Sequence, residues 1–245
     1  MRWGLLSAAM MAILPSAGAG RLLRRGRLFS SLAVRATRLW VSLFVRDLGL
    51  CPFASWLGDT DASLRVAVTR VSGRPTAIQV AEEVLREARL LLSDSGPRST
   101  LLLYPALGNF DRYLESADMA VQALAASELD KHVQLATFHP RYRFRDEHPA
   151  SATQWTNRSP FPMIHLLRVD DVGRAIEVFS KSGDPDEIWR RNQRTMLAMG
   201  TGRLREMRRE IMRRAVEESC GEPNPLELLR GSDSEDTDSE ADDVQ

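Results

Sequence analysis

Residues 64–104 read LRVAVTRVSGRPTAIQVAEEVLREARLLLSDSGPRSTLLLY, and this run decides the fold class. Leu64 to Val71 alternates and is rich in valine, the pattern of a strand with one face against a core. Ser72-Gly73-Arg74 is a turn. Thr76 then stands as a helix N-cap, with Gln79 three residues on in the capping-box position, so two otherwise unpaired backbone N–H groups are satisfied reciprocally. Ala81, Val84, Leu85, Ala88, Leu91 and Leu92 recur at helical spacing and predict the buried stripe, while Glu82, Glu83, Arg86 and Glu87 are assigned to water. Thr100 to Tyr104 is short and mostly apolar, as a strand is when helices cover both faces of its sheet. Strands alternating with helices predict a sheet that is at least partly parallel, with helices packed on it.

The pattern continues downstream. Asn109 or Asp111 caps a helix to about Leu129, with Phe110, Leu114, Ala117, Val121, Leu124 and Ala125 inward. Val133 to Phe138 is a third strand and Met163 to Arg168 a fourth, reached through a loop and therefore free to pair antiparallel. Helices follow at about Asp171 to Phe179, from Asp184-Pro185 to Gly200, and along Leu204, Met207, Ile211, Met212, Ala215 and Val216. Upstream, Leu39, Trp40, Leu43, Phe44 and Leu48 share a face and predict a helix from about Thr37 to Leu48, closed by Gly49. The expectation is an α/β fold over residues 38–220: a mixed, partly parallel sheet of about four strands with helices packed on it, plus extra C-terminal helices.

Charge is distributed unevenly along the 245 residues. Lys+Arg and Asp+Glu both total 33, yet Met1 to Arg46 holds eight arginines and no acid, and Ser232 to Gln245 holds seven acids and no base. Residues 1–37, with Arg21, Arg24, Arg25 and Arg27 followed by Ser30 and Ser31, are read as an organellar targeting leader. A mitochondrial address comes first. The apolar run Trp3 to Leu14 before Ser16-Ala17-Gly18-Ala19 offers a two-part plastid leader as the alternative. Residues 221–245 are expected to be an acidic disordered tail, having almost nothing to bury. The two cysteines, Cys51 and Cys220, form no paired-cysteine motif, which argues against a zinc site or disulfide scaffold, and the mature region contains no apolar run near the ~20 residues that cross a bilayer. Four histidines without matched spacing give no metal-ligand pattern, and nothing names a cofactor.

Chemistry is best sought between the third and fourth strands. Phe138 to Arg168 has little periodicity but holds His139, Tyr142, Phe144, Trp155 and Phe161, too aromatic a set for disorder, so the loop is expected to pack down. His139, at the carboxyl end of a strand, is a candidate general base or anion ligand, or else a histidine that ties down the loop. His165 is the second catalytic candidate, weighed against a core histidine because it shares a strand face with Met163 and Leu167. Asn157, Arg158 and Ser159 offer an amide, a cation and a hydroxyl in succession, or a self-bonded turn. Arg168 is a second guanidinium fork that suits phosphate or carboxylate, or a structural ion pair, and Asn192 is expected nearby.

Several stretches carry a family resemblance. They are Gly49-Leu-Cys-Pro-Phe-Ala54; Leu101-Leu-Leu-Tyr-Pro105 with Phe110-Asp111; Gln134 through Phe144, containing Phe-His-Pro-Arg-Tyr-Arg-Phe; Thr156-Asn-Arg-Ser-Pro-Phe-Pro through Arg168; and Arg191-Asn192 with Gly200. Over about residues 38–215 the chain resembles the family known as domain of unknown function 1415. The family implies no established activity. Ala150, Ser151 and Val169 stand where the family usually has acids, so any reaction using those carboxylates would lack them here.

Three functions remain open. The first is an enzyme or binding protein for a small anionic, phosphorylated or carboxylated, molecule at the loop. The second is an RNA-associated module using Arg203, Arg205, Arg208, Arg209, Arg213 and Arg214, against which stands a solvated helix face that could also dock the acidic tail. The third is an assembly protein presenting Met207, Ile211 and Met212 to a partner. The anionic ligand ranks first, because polar residues in an ordered loop are hard to explain by packing alone.

Overall fold

The computed structural model describes residues 17–51, 54, 63–180 and 186–218. The leader up to residue 16, the helix start expected at Asp184-Pro185, Cys220 and the acidic stretch 221–245 lie outside the described residues.

Four strands form one mixed sheet: β1 (Leu64–Val68), β2 (Ser99–Leu103), β3 (Val133–Phe138) and β4 (Met163–Arg168), in the order β1-β2-β4-β3. β1 and β2 pair in parallel, and β4 runs antiparallel to both β2 and β3. Strands β1, β2 and β3 therefore all end at one rim, where β4 begins. Met163 pairs there with Leu103 on one side and Phe138 on the other.

Helices cover both faces. α2 (Ala77–Leu92) and α3 (Phe110–Ala126) lie on one, where Val80, Val84, Leu91, Tyr113 and Leu124 meet Leu102, Tyr104, Ile164 and Leu166. The other carries α1 (Ala17–Trp40) and α5 (Asp186–Glu217), whose Leu32, Trp40, Met196 and Leu204 pack on Leu101, Leu103 and Met163. Alternate residues of β2 serve opposite layers, which is why its sequence is apolar without interruption. A short α4 (Val169–Ser180) follows β4 directly.

The caps are those the sequence predicts. Thr76 Oγ1 accepts from Gln79 N at 3.2 Å while Gln79 Oε1 accepts from Thr76 N at 3.0 Å, and Asn109 Oδ1 accepts from Arg112 N at 3.0 Å.

Two expectations need correction. The first helix does not begin near Thr37: it runs back to Ala17 and continues past Trp40 as a π-helical turn, Val41–Arg46. Leu32, Ala33 and Ala36 are buried in the core, and Phe29 meets the Phe161 ring edge-on at 5.9 Å, so this part of the presumed leader belongs to the packed structure. Glu83 and Glu87 do not face water. They are buried against β1, Glu87 accepting from Arg65 Nε at 2.9 Å and Glu83 from Thr69 Oγ1 at 2.6 Å and Arg70 N at 2.8 Å. Charge placed them outside, whereas the edge strand supplies partners that offset their desolvation. The last two helices do meet at Gly200 as expected, where φ 71° and ψ 157° break the helical backbone in a region open only to glycine.

Candidate functional site

Residues 139–162 leave β3 at the rim and return as β4, and they are tied down throughout. Buried Gln154 accepts from Phe144 N at 2.7 Å and donates to the carbonyls of Glu147 and His148 at 3.4 and 3.3 Å. Asn157 Nδ2 donates to Thr137 O at 3.0 Å, and Tyr142 meets Phe110 at 5.3 Å and Phe144 at 4.9 Å between ring centroids. The aromatic content that argued against disorder is what packs. A single 3-10 helix, Ala152–Thr156, lays Trp155 into the core shared with α5.

His139 is fully buried and both its ring nitrogens are engaged. Nδ1 accepts from Arg141 N at 3.0 Å and Nε2 donates to Leu107 O at 3.1 Å, with Phe110 and Tyr113 each 5.1 Å from the ring. Burial pushes its pKa down to about 4, with the cations of Arg141 and Arg208 adding to the effect. It is held as a neutral imidazole that anchors the loop, the second of the two readings the sequence allowed.

His165 lies elsewhere. It sits mid-β4 on the α1/α5 face, 6.3 Å from the Phe138 ring, whereas His139 is on the α2/α3 face. Its Nε2 is 2.5 Å from Ser99 Oγ, and burial holds its pKa down to about 4. Arg168 closes β4 at the opposite rim, beside Val133, and donates to Leu91 O at 2.5 Å. At ~3.4 Å per residue the two ends of β4 are roughly 17 Å apart, so Arg168 cannot join Arg158 around one small anion. Asn192 is bonded to Leu50 O at 2.7 Å, next to the end of the π-helical turn. Ser159 is buried and donates to Phe161 O at 2.6 Å, closing its own turn. The predicted convergence of all these groups does not occur, because strand order sends His165 and Arg168 away from the rim where the loop lies.

What does converge at that rim is arginine. A cleft of about 1060 Å³ opens between the loop, the start of α3 and the second half of α5. Arg141, Arg143 and Arg158 line one wall and Arg205, Arg208, Arg209 and Arg213 the other, with Asp111 and Glu217 the acids among the lining residues. Pro140, Pro149, Trp155, Met212 and Val216 make its apolar surface.

The cations differ in what already holds them. Arg213 is neutralised by Glu210, at 2.7 Å, and Glu217; those bonds raise its pKa and, with Arg214, lower that of Glu210 to about 2. Arg143 pairs with Asp111 at 3.5 Å and lies over the Phe110 ring at 5.6 Å. Arg141 donates to Gly108 O at 2.6 Å, and Arg208 donates to Pro140 O at 3.5 Å, stitching α5 to the loop. Arg158 donates to the carbonyls of Tyr142 and Pro149 at 3.3 and 3.4 Å and stacks over Trp155 at 5.4 Å. Burial, and then the neighbouring charge of Arg205, depress its pKa. Among the described residues, Arg158, Arg205 and Arg209 have no carboxylate partner. Like charges from opposite walls are thus held close without a counter-ion, the arrangement an anion relieves.

Of these residues the sequence singled out Arg158 for a site and gave Arg205, Arg208, Arg209 and Arg213 to a different idea. Arg141 and Arg143 were missed. Part of the signal was present: positions 205, 208, 209, 212, 213 and 216 form one helical stripe. The apolar face proposed for a partner is occupied by the chain itself, since Ile211 is buried and Met207 and Met212 pack on the same core.

Of the quoted motifs, Phe138–Phe144 and Asn157–Met163 lie at the rim. The model of a family described as "Protein of unknown function (DUF1415)" matches residues 32–206. The chain belongs to the DUF1415 family. The match takes in β1 to β4 and the loop wall of the cleft, and starts inside α1 at buried Leu32; Arg208, Arg209 and Arg213 lie beyond it. No curated protein and no solved structure matches this DUF1415 chain. Among the described residues, no His, Cys, Asp or Glu cluster is placed to hold a metal ion, and no helix is long and apolar enough to cross a membrane.

Proposed function

We propose that the protein binds a small anionic molecule, phosphorylated or carboxylated, in the arginine-lined cleft, as a ligand-binding protein or as an enzyme acting on that molecule. The observation that carries this reading is the meeting of Arg158 with Arg205 and Arg209 across one cleft, with no carboxylate partner among the described residues. Guanidinium forks from two walls grip and orient phosphate or carboxylate oxygens, each charge-assisted bond adding about 1.5–3 kcal/mol in a partly dry site. The cleft volume is at the upper end for small-molecule sites. His139 acts here as a positioning residue: it fixes the backbone of Arg141 and the turn at Leu107, and so the loop wall. The acid-free, arginine-rich leader supports an organellar address, mitochondrial before plastid.

RNA association ranks second, because the rings at the cleft are already covered. Trp155 and Phe110 are buried, with Arg158 and Arg143 stacked over them, which leaves no face for an unpaired base. Calorimetry with tripolyphosphate, pyrophosphate and citrate at low ionic strength tests the reading. Arg205→Ala combined with Arg209→Ala removes two exposed side chains outside the core, so folding is expected to change by less than about 0.5 kcal/mol. Affinity for the polyanion is expected to drop at least about tenfold, equivalent to ~1.4 kcal/mol. A protein that binds none of the three anions, or a double variant that binds them undiminished, removes the basis for the cleft as a site.

A further inference from the structure

The cleft is the natural seat for a segment of the same chain. We propose that the acidic stretch 232–245 occupies the arginine cleft in cis and competes there with the anionic ligand; this rests on the cleft being an anion site. Charge is the first argument. The stretch has seven acids and no base, while the cleft is lined by seven arginines against Asp111 and Glu217. Bases and acids nearly cancel over residues 47–231, so the cleft is a local concentration of cations on an otherwise balanced domain.

Reach is the second argument. The described chain ends at Glu218, one residue past the end of α5, and Val216 and Glu217 line the cleft themselves. The linker 219–231 spans up to roughly 45 Å when extended, whereas the stripe from Arg205 to Glu217 is about 18 Å long at 1.5 Å per helical residue. The chain can therefore double back along the whole stripe. A tether of this length presents the acids at an effective concentration of about a millimolar, so weak contacts suffice for occupancy.

Spacing is the third. Arg205, Arg209 and Arg213 recur every four helical residues, about 6 Å. Asp236, Asp238, Glu240 and Asp242 recur every second residue, about 6.6 Å in an extended chain. Carboxylates and guanidinium groups can thus meet in register at Arg205 and Arg209, while Arg213 is already held by Glu210 and Glu217. Ser234, Thr237 and Ser239 lie between the acids, where phosphorylation would add charge and tighten the contact.

The test compares the full chain with a full-length variant carrying Asp236→Asn, Asp238→Asn, Glu240→Gln and Asp242→Asn, using tripolyphosphate as the probe at low ionic strength. A synthetic peptide of residues 232–245 is titrated into the variant separately. The expected result is at least tenfold tighter tripolyphosphate binding by the variant, and peptide binding that Arg205→Ala with Arg209→Ala abolishes. Equal tripolyphosphate affinity for both chains, with no peptide binding, overturns the docking while leaving the anion site standing. Peptide binding without tripolyphosphate binding to either chain retains the docking and removes the small-ligand reading instead.

Discussion

Acid should loosen this protein through buried His139 and partly buried His165, and the amount follows from their surroundings. An exposed imidazole titrates near 6.5, whereas burial holds His139 and His165 down to about 4. Between these values the unfolded chain takes up protons that the folded chain refuses, so stability falls as pH falls. The penalty is absent above about pH 7, builds below 6.5 and levels off under about 4. From pH 7 to pH 5 each histidine is expected to cost about 2 kcal/mol, and the pair about 4. That is a large part of a typical domain stability of ~5–15 kcal/mol. Urea unfolding at pH 7, 6 and 5 measures it directly. In His165→Gln one titrating group is gone, so the loss over this interval should shrink by about half even though the starting stability differs. The same measurement on tripolyphosphate affinity should show the cleft weakening with the fold, because a protonated His139 can no longer accept from Arg141 N. Unchanged wild-type stability between pH 7 and 5, or an unaltered slope in the variant, would refute the argument that burial keeps these rings neutral.

Two further outcomes concern the packing that builds the site. Leu32→Ala should cost about 2–5 kcal/mol, the range for emptying a buried leucine, and mass spectrometry of the mature protein should find its first residue upstream of Phe29. Gln154→Ala removes the acceptor of Phe144 N and is expected to cost about 1–3 kcal/mol; limited proteolysis should then cut within 139–162, where the parent protein resists.

How much of this was legible beforehand depends on the range of the interaction. The capping box of α2, the valine-rich edge strand, the apolar central strand and the aromatic loop are written in neighbouring residues, and each formed as read. The boundary of α1 was misread because its composition resembles a leader, while its burial depends on Phe161 and α5, more than a hundred residues away. Glu83 and Glu87 were put outside on their charge, and the partners that bury them belong to another element.

The sequence alone determined the element types, a sheet that is at least partly parallel, the DUF1415 membership and the fact that 139–162 would be ordered. Periodicity, caps and composition act within a few residues, so a linear reading captures them. Only the tertiary structure decided which charged groups share a space. Inserting β4 antiparallel between β2 and β3 gathers the loop at one rim and carries Arg168 to the other, and the packing of α5 beside the loop brings Arg205 to Arg158. That meeting joins residues 47 positions apart, and no local pattern encodes the strand order that permits it.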